Sequence, residues 1–242
     1  MKKKILTTVW LLVPILLLAF HYGPGQTGLA LDKTGELLKK AAQAEKNEAW
    51  VEAVEIYDQA LAALPPGQSA TRYRIQLGKS KARMYSGELP EAMLDLENLL
   101  ADMLREKADP AQIREVRGTL GSTQYYVAWL MRLEGAGPEE WTLPVDEARQ
   151  NFRLLAEETE KSRLAGEAEN YKKNLESAIR LARMDISELQ ALPLPSECKG
   201  CKNCSQKCRK QRQSKKKEGE KPEEPKDSRS AGSGNRPSGS GS

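Results

Sequence analysis

Four cysteines lie close together near the C-terminal end of the chain, and their side chains have the greatest capacity for chemistry in this sequence. In the spacing C-x2-C-x2-C-x3-C, they are Cys198, Cys201, Cys204 and Cys208. A thiolate can act as a nucleophile, a redox group or a ligand for a soft metal. Basic side chains lie between and after them, at Lys199, Lys202, Lys207 and Arg209. Because positive charge lowers the pKa of a neighbouring thiol, this segment is predicted to be reactive.

The chemistry of these thiols permits three states: bound to a metal or cluster, paired in disulfides, or free. The spacing is similar to the cysteine run of bacterial ferredoxins, which binds an iron–sulfur cluster, although Arg209 replaces the proline that follows the fourth cysteine there. Four sulfurs also suit zinc. In an oxidising compartment an even number of cysteines favours two disulfides, and free reactive thiols are the third state. A zinc ion or an iron–sulfur cluster is therefore the alternative to a chain without a cofactor.

The rest of the chain is poor in the residue types that catalyse reactions. The one histidine is His21, beside an apolar N-terminal run, so Ser-His-Asp and Cys-His sites are not expected in the residues that follow it. Carboxylates such as Glu139 and Glu157 lie in charge-rich segments without an apolar pocket to shift a pKa. No glycine-rich phosphate loop is present in the sequence. We expect a protein that is not an enzyme and has no small-molecule substrate.

The stretch AWVEAVEIYDQALAALPP, from Ala49 to Pro66, organises the middle of the chain. Its apolar residues recur at the spacing of one helix face, with two alanines where a second helix can approach closely. Four of its residues are spaced as in the second helix of a tetratricopeptide repeat: Ala53, Tyr57, Ala60 and Pro65. In that family, which this stretch resembles, the alanines admit the partner helix, the aromatic ring fills the gap and the proline ends the helix.

Periodicity and helix-breaking residues predict seven helices, at about 33–46, 49–64, 69–85, 90–104, 110–135, 145–159 and 164–184. Glycines near residue 25 indicate a linker, and residues 135–144 are predicted to form an irregular loop. The repeat spacing recurs twice, at Ala92, Leu96 and Leu99 and at Ala148, Phe152 and Leu155. We therefore expect an all-α domain over residues 31–190, in which antiparallel hairpins stack as a short tetratricopeptide-like solenoid and the seventh helix caps the end.

The resemblance also implies a binding surface, since the first helix of each hairpin in that family lines a concave groove for protein partners. On this chain the matching faces carry Arg74, Lys81, Tyr85 and Tyr126. Cations beside aromatic rings suit an acidic or aromatic peptide. The alternative is that the two cations are ordinary solvated charges and the tyrosines belong to the core. The implied function is a protein–protein adaptor or scaffold, and the alternative is a redox or metal-binding protein that uses the cysteine run.

The N-terminal end predicts export. Three lysines precede an apolar run over residues 5–20, which is typical of a signal peptide or an N-terminal membrane anchor. We expect residues 1–30 to direct the protein to the periplasm or cell envelope, cleaved or anchored in the inner membrane. The layout resembles that of exported bacterial tetratricopeptide repeat proteins.

The C-terminal end predicts disorder. From Glu197 onward there are thirteen Lys or Arg against six Asp or Glu, and no aromatic or large aliphatic residue. A segment that buries so little apolar surface is expected to be disordered from Glu197 to Ser242, which covers most of the Cys-rich segment, 191–210, and the whole basic, Ser/Gly-ended tail, 211–242. The tail could hold an anionic membrane or cell-wall surface, or simply aid solubility. Without aromatic rings on which bases stack, specific nucleic-acid binding is not expected.

Overall fold

The structure is a computed structural model that describes Trp10 and residues 24–219. In this part of the chain there are nine α-helices, one 3-10 turn and no strand, so the predicted all-α class is confirmed there. The helices are α1 (Pro24–Lys46), α2 (Trp50–Ala63), α3 (Ser69–Tyr85), α4 (Leu89–Arg105), α5 (Pro110–Leu133), α6 (Pro138–Lys161), α7 (Ala165–Arg183), α8 (Ile186–Ala191) and α9 (Cys204–Gly219). The 3-10 turn, Ser196–Cys198, lies between α8 and α9.

Short turns connect the helices from α1 to α7, and each of these helices packs against its neighbours in sequence order. Every turn contains a residue with positive φ: Glu48, Gly67, Gly87, Lys107, Gly135 and Arg163. This left-handed conformation ends a helix and satisfies its last carbonyl groups, as in the 2.9 Å hydrogen bond from Ala108 N to Met103 O. Turns this short leave consecutive helices side by side and antiparallel.

The buried residues form two clusters. The smaller joins α1 and α2 to α3, and it contains Ala53, Tyr57 and Ala60, of which both alanines are fully buried. A Cβ atom added to Gly78 of α3 would lie 2.7 Å from Cζ of Tyr57, so the aromatic ring fills a notch that only glycine leaves open. Pro65 directly follows Leu64, the residue that ends α2.

The larger cluster extends from α3 to α9. It contains Ala92, Leu96, Leu99, Ala148 and Phe152 of the other two sets with the repeat spacing. Leu155, the last member, is also fully buried, and Phe152 of α6 packs against Gly121 of α5 as Tyr57 packs against Gly78. A Cβ atom on Gly121 would lie 2.9 Å from Cε1 of that ring. Close helix packing therefore depends on small residues facing aromatic ones at two separate interfaces.

Two helices begin earlier than the sequence predicted. The first starts at Pro24 rather than near residue 33, and the sixth starts at Pro138, where an irregular loop was expected. Proline suits the first turn of a helix, since its φ is already helical and the N–H it lacks would have no partner there. Pro144 then lies inside α6, next to the fully buried Val145, whose packing offsets the lost backbone hydrogen bond.

The predicted signal peptide or membrane anchor at residues 5–20 lies, Trp10 apart, outside the described residues. Among the helices that are described, none is both long and apolar enough to cross a membrane.

Close packing at Ala60 of α2 can be tested by replacing this alanine with a larger residue. Ala60 has no exposed surface, whereas Ala62 on the same helix is exposed. Since overpacking a well-filled interior typically costs about 1–3 kcal/mol, Ala60→Leu should lower the free energy of unfolding in urea by that amount. Ala62→Leu is the matched control, and it should change stability by less than about 0.5 kcal/mol. Equal stability of the two variants would show that α2 is not closely packed at Ala60.

Candidate functional site

Alternate helices α3, α5 and α7 line an open cleft with a volume of about 380 Å³. Its walls include three of the four predicted groove residues, Lys81, Tyr85 and Tyr126. The fourth, Arg74, is exposed on α3 two turns before Lys81 and does not line the cleft. The remaining lining residues are Met84, Glu115, Gly118, Thr119, Ser122, Tyr171, Asn174 and Glu197.

Helical spacing explains why these side chains converge. Lys81 and Tyr85 are four residues apart on α3, as Ser122 and Tyr126 are on α5, so each pair lies one turn apart on one face. The ring of Tyr85 also stacks on Trp50 of α2, with 4.6 Å between ring centroids and 24° between planes. This stacking restrains the Tyr85 ring at the end of α3.

The electrostatics of the cleft are balanced by acidic side chains. Lys81 Nζ lies 2.7 Å from Oε1 of Glu115, and both side chains are about half exposed. At this exposure the ion pair contributes little to stability, so a carboxylate on a ligand can compete with Glu115 for the ammonium group. Lys81 is thus a cation held at the rim of the cleft by an exchangeable partner.

The chain places its own carboxylate in the cleft. Glu197, in the 3-10 turn, accepts a hydrogen bond from Oη of Tyr85 at 3.3 Å, and the charge of the same carboxylate acts on the phenol of Tyr126, which also lines the cleft. Burial, reinforced by the negative charge of Glu197, raises the pKa of both phenols above the usual value of 10. Both hydroxyls therefore remain protonated donors for a carboxylate at neutral pH.

A second cavity, of about 280 Å³, continues the cleft along α5. Ser122, Tyr126 and Asn174 line both cavities, and Pro195 lies in the second one beside an aromatic wall that includes Tyr125. The ring of Tyr125 packs edge-on against those of Tyr126 and Trp129, at centroid distances of 5.4 and 5.8 Å. Together the two cavities form one concave surface rich in aromatic and hydroxyl groups.

An extended piece of the chain, LPLPSE, leads along this surface to Glu197. Leu192 has φ −82° and ψ 146°, and Pro195 has φ −54° and ψ 149°, which are close to polyproline II values. We call residues 192–219 the C-terminal strap. Its first part thus presents an extended, proline-containing acidic peptide to the concave surface.

The strap then crosses the turn between α3 and α4. A Cβ atom on Gly87 would lie 2.6 Å from the carbonyl carbon of Gly200, so the two backbones are in direct contact. Gly87 has φ +86°, which only glycine adopts without strain, so this position needs glycine for its conformation and for the space it leaves.

After the turn, helix α9 docks through its first residues. The backbone N–H groups of Cys204 and Ser205 donate to the two carboxylate oxygens of Glu134, at 2.7 and 2.8 Å. A carboxylate at this position satisfies N–H groups that have no partner within the helix and complements the helix dipole. Three ion pairs follow along the helix: Lys207 with Glu91 at 3.3 Å, Arg209 with Glu140, and Lys215 with Glu97.

The structure differs from the predicted disorder over residues 197–219, which form the end of the 3-10 turn, the segment that packs against Gly87, and α9. Cys204 and Cys208 are fully buried and lie one turn apart on the inner face of α9. Cysteine behaves as a small apolar residue when buried, so these thiols provide the apolar surface that the composition otherwise lacks. The rest of the predicted tail, residues 220–242, lies outside the described residues.

The four thiols differ in exposure and in proton affinity. Cys198, Cys204 and Cys208 are buried, Cys201 is partly exposed, and none forms a disulfide. All four side chains pack in the larger buried cluster. Burial, together with the charge of Glu197, raises the pKa of Cys198 to about 12.

Cys201 is the thiol most readily ionised. The neighbouring Cys204 thiol lowers the pKa of Cys201 below the usual 9, the N–H of Leu89 and the charge of Lys207 act in the same direction, and burial opposes them. Within the described residues, no group of three or more histidine, cysteine, aspartate or glutamate side chains is arranged to hold a metal ion. The zinc or iron–sulfur alternative has no such set of ligands in this arrangement.

No protein-family model, curated protein or solved structure matches the chain. The site therefore has to be interpreted from its own residues.

Two acidic residues of the site were not singled out by the sequence analysis. Glu197 precedes the cysteine run and follows two prolines, a local signal of an extended acidic peptide. Glu134 ends α5 and gives no sign in the sequence of its contact with Cys204, which is 70 residues away.

Docking of the strap can be tested with two glycines in similar turns. Gly67 has φ +84° with open space around it, whereas Gly87 lies beneath Gly200. Alanine at either position strains the backbone by roughly 1–2 kcal/mol. Only Gly87→Ala should also displace the strap, so native-state alkylation of Cys204 and Cys208 should become at least about tenfold faster in that variant. Peptide mass spectrometry gives the rate for each cysteine, and equal rates in both variants would contradict the contact.

Proposed function

We propose that the protein is a non-enzymatic adaptor whose cleft between α3, α5 and α7 binds an extended, acidic segment of a protein partner. The observation that carries this proposal is Glu197, whose carboxylate accepts a hydrogen bond from Tyr85 and lies beside Tyr126 in the lining of the cleft. The chain's own peptide thus illustrates the class of ligand that the cleft accepts.

The architecture supports the same function. Antiparallel helices packed in sequence order, with buried alanine and aromatic residues at a recurring spacing, are what a tetratricopeptide-like stack requires. In such a stack the first helix of every pair faces the ligand, and α3, α5 and α7 would hold that position. The apolar N-terminal run supports export to the periplasm or cell envelope, so a partner is to be sought there.

The chemistry of the walls defines what the partner segment must offer. Two phenol hydroxyls and the ammonium group of Lys81 favour a carboxylate, and hydrogen bonds to a charged group each contribute about 1.5–3 kcal/mol. Aromatic walls favour proline-containing extended peptides, which lose little conformational entropy on binding. A longer acidic segment would also reach Arg74, which is exposed two turns away on α3.

Because the strap already occupies the cleft, a partner peptide must compete with the strap, and this competition makes the cleft selective. A tethered segment acts at an effective concentration of about millimolar, so a partner must make further contacts to displace Glu197. The extra contacts are available along the second cavity beside Tyr125 and on α3 towards Arg74.

Removing the internal carboxylate should open the cleft to a peptide. In the full-length protein, Glu197→Ala should increase the affinity for a fluorescently labelled LPLPSE peptide at least about tenfold over wild type, measured by fluorescence anisotropy. The matched control is Glu188→Ala, which removes an exposed carboxylate from α8 and should leave the affinity unchanged.

The same assay identifies the hydroxyl groups that donate hydrogen bonds to the carboxylate of the peptide. Adding Tyr85→Phe and Tyr126→Phe to the Glu197→Ala variant removes two hydroxyls and keeps both rings, so the gain in affinity should disappear. A peptide with glutamine in place of its glutamate should bind at least about tenfold more weakly to the Glu197→Ala variant. If the acidic and neutral peptides bind alike, or if the phenylalanine variants bind as tightly, the cleft is not a carboxylate-binding site.

A further inference from the structure

Two of the four cysteines are placed as a reactive pair. Cys201 is partly exposed in the strap, and Cys204, three residues later, is the fully buried first residue of α9. Asn203 between them has φ 57°, so the chain turns sharply between the two cysteines, and both side chains pack in the same buried cluster. The result is a C-x-x-C turn with one accessible and one enclosed sulfur, and both thiols are free.

We propose that Cys201 and Cys204 form a redox-active dithiol that reduces the disulfide of an external substrate by thiol–disulfide exchange. This activity is separate from the peptide-binding cleft, since its reacting groups lie on the far side of the turn between α3 and α4. The substrate class is a disulfide, either of a protein or of a small molecule.

The exchange conserves atoms and electrons. The Cys201 thiolate attacks one sulfur of the substrate, forms a mixed disulfide with it and releases the other sulfur as a thiolate. Cys204 then loses its proton and attacks the sulfur of Cys201, which forms the Cys201–Cys204 disulfide and releases the second substrate thiolate. The substrate disulfide gains two electrons and the cysteine pair loses them.

The surroundings assign the two roles. The sulfur of Cys201 is faced by the Cys204 thiol, the N–H of Leu89 and the ammonium group of Lys207, all of which stabilise a thiolate, and by Glu134, which opposes it. Burial also opposes it, but the net effect is a pKa below the usual 9, so Cys201 ionises more readily than an ordinary thiol. Cys204 has its pKa raised by its sulfur neighbours and by burial, so it remains a thiol until the mixed disulfide forms.

The other two cysteines are poor candidates for the attacking role. Burial keeps Cys198 protonated, and Cys208 is enclosed one turn further along α9. Cys208 packs in the same buried cluster as Cys204, so it belongs to the enclosed side of the group.

The reaction of the reduced full-length protein with dithionitrobenzoate, a chromogenic disulfide, tests these roles. Wild type should release two equivalents of the coloured thiolate in a fast phase, one at each step. Cys204→Ser should release one equivalent in that phase and retain the label on Cys201, as mass spectrometry can show. Cys201→Ser should lose the fast phase, with initial release at least tenfold slower, and Glu188→Ala, at an exposed position of α8, is the control that should keep it.

A measurement on the wild-type protein tests the same roles without depending on whether a variant folds. After one round of oxidation, digested wild-type protein should contain a Cys201–Cys204 linkage. Iodoacetamide should modify Cys201 at least tenfold faster than the other three thiols, with a rate that rises through a pH midpoint below 9. A first modification at Cys198 or Cys208, or a different linkage, would overturn the assignment. So would purified protein with one zinc or iron site per chain whose thiols react only after chelation.

Two test substrates distinguish a protein disulfide from a small-molecule disulfide as the target of the exchange. Stoichiometric reduction of insulin at least tenfold faster than of glutathione disulfide would assign a protein substrate, and the reverse ratio would assign a small molecule. Comparable rates would support the exchange activity without restricting its source. Failure to reduce either would overturn the proposal, and the peptide-binding assay would be unaffected by that result.

Discussion

The attachment of the C-terminal strap to the helical body is the interaction on which the rest of the site depends. Three buried sulfurs, one backbone contact at Gly87 and the carboxylate of Glu134 hold a segment that has no aliphatic residue larger than alanine after Leu194. If that attachment is lost, Glu197 leaves the cleft and Cys201 leaves the N–H of Leu89. The binding surface and the thiol cluster are thus two consequences of one docking event.

Ordinary hydrophobic burial is a minor part of that docking. A thiol buries little area, and roughly 25 cal/mol is gained for each square ångström of apolar surface removed from water, so three cysteines contribute a few kcal/mol at most. The remainder comes from specific groups, namely the two hydrogen bonds of Glu134 to the start of α9 and the ion pairs along it. The basic helix α9 binds there because the surface between α4 and α6 is acidic. The uneven charge of the chain therefore contributes to docking of the strap.

Local sequence signals were sufficient for most of the helical body. The 3.6-residue apolar period, the prolines at the helix starts and the glycines at the turns identified the helices from α2 to α5 and α7 closely. The small and aromatic residues at Ala53, Tyr57 and Ala60 were recognised because their spacing reflects contact with an adjacent helix. The early starts of α1 and α6 differ from the prediction because proline, which interrupts the interior of a helix, suits its first turn.

The site itself was predicted only in part, since it is formed by residues far apart in the sequence. Lys81, Tyr85 and Tyr126 could be placed on one surface from helical spacing and family resemblance. The strap could not, because composition alone indicated disorder and its partners, Gly87 and Glu134, lie in turns that show no periodicity. Docking depends on complementary surfaces, and a single sequence does not encode such complementarity in any local pattern.

Amide hydrogen exchange at the start of α9 tests the central claim most directly. In the reduced full-length protein, the N–H groups of Cys204 and Ser205 should exchange at least about a hundredfold more slowly than in an unstructured peptide, and Glu134→Gln should reduce that protection. Exchange of both amides at the unstructured rate in the wild-type protein would show that the strap is not docked, and the account of the cleft and of the thiol pair would fail with it.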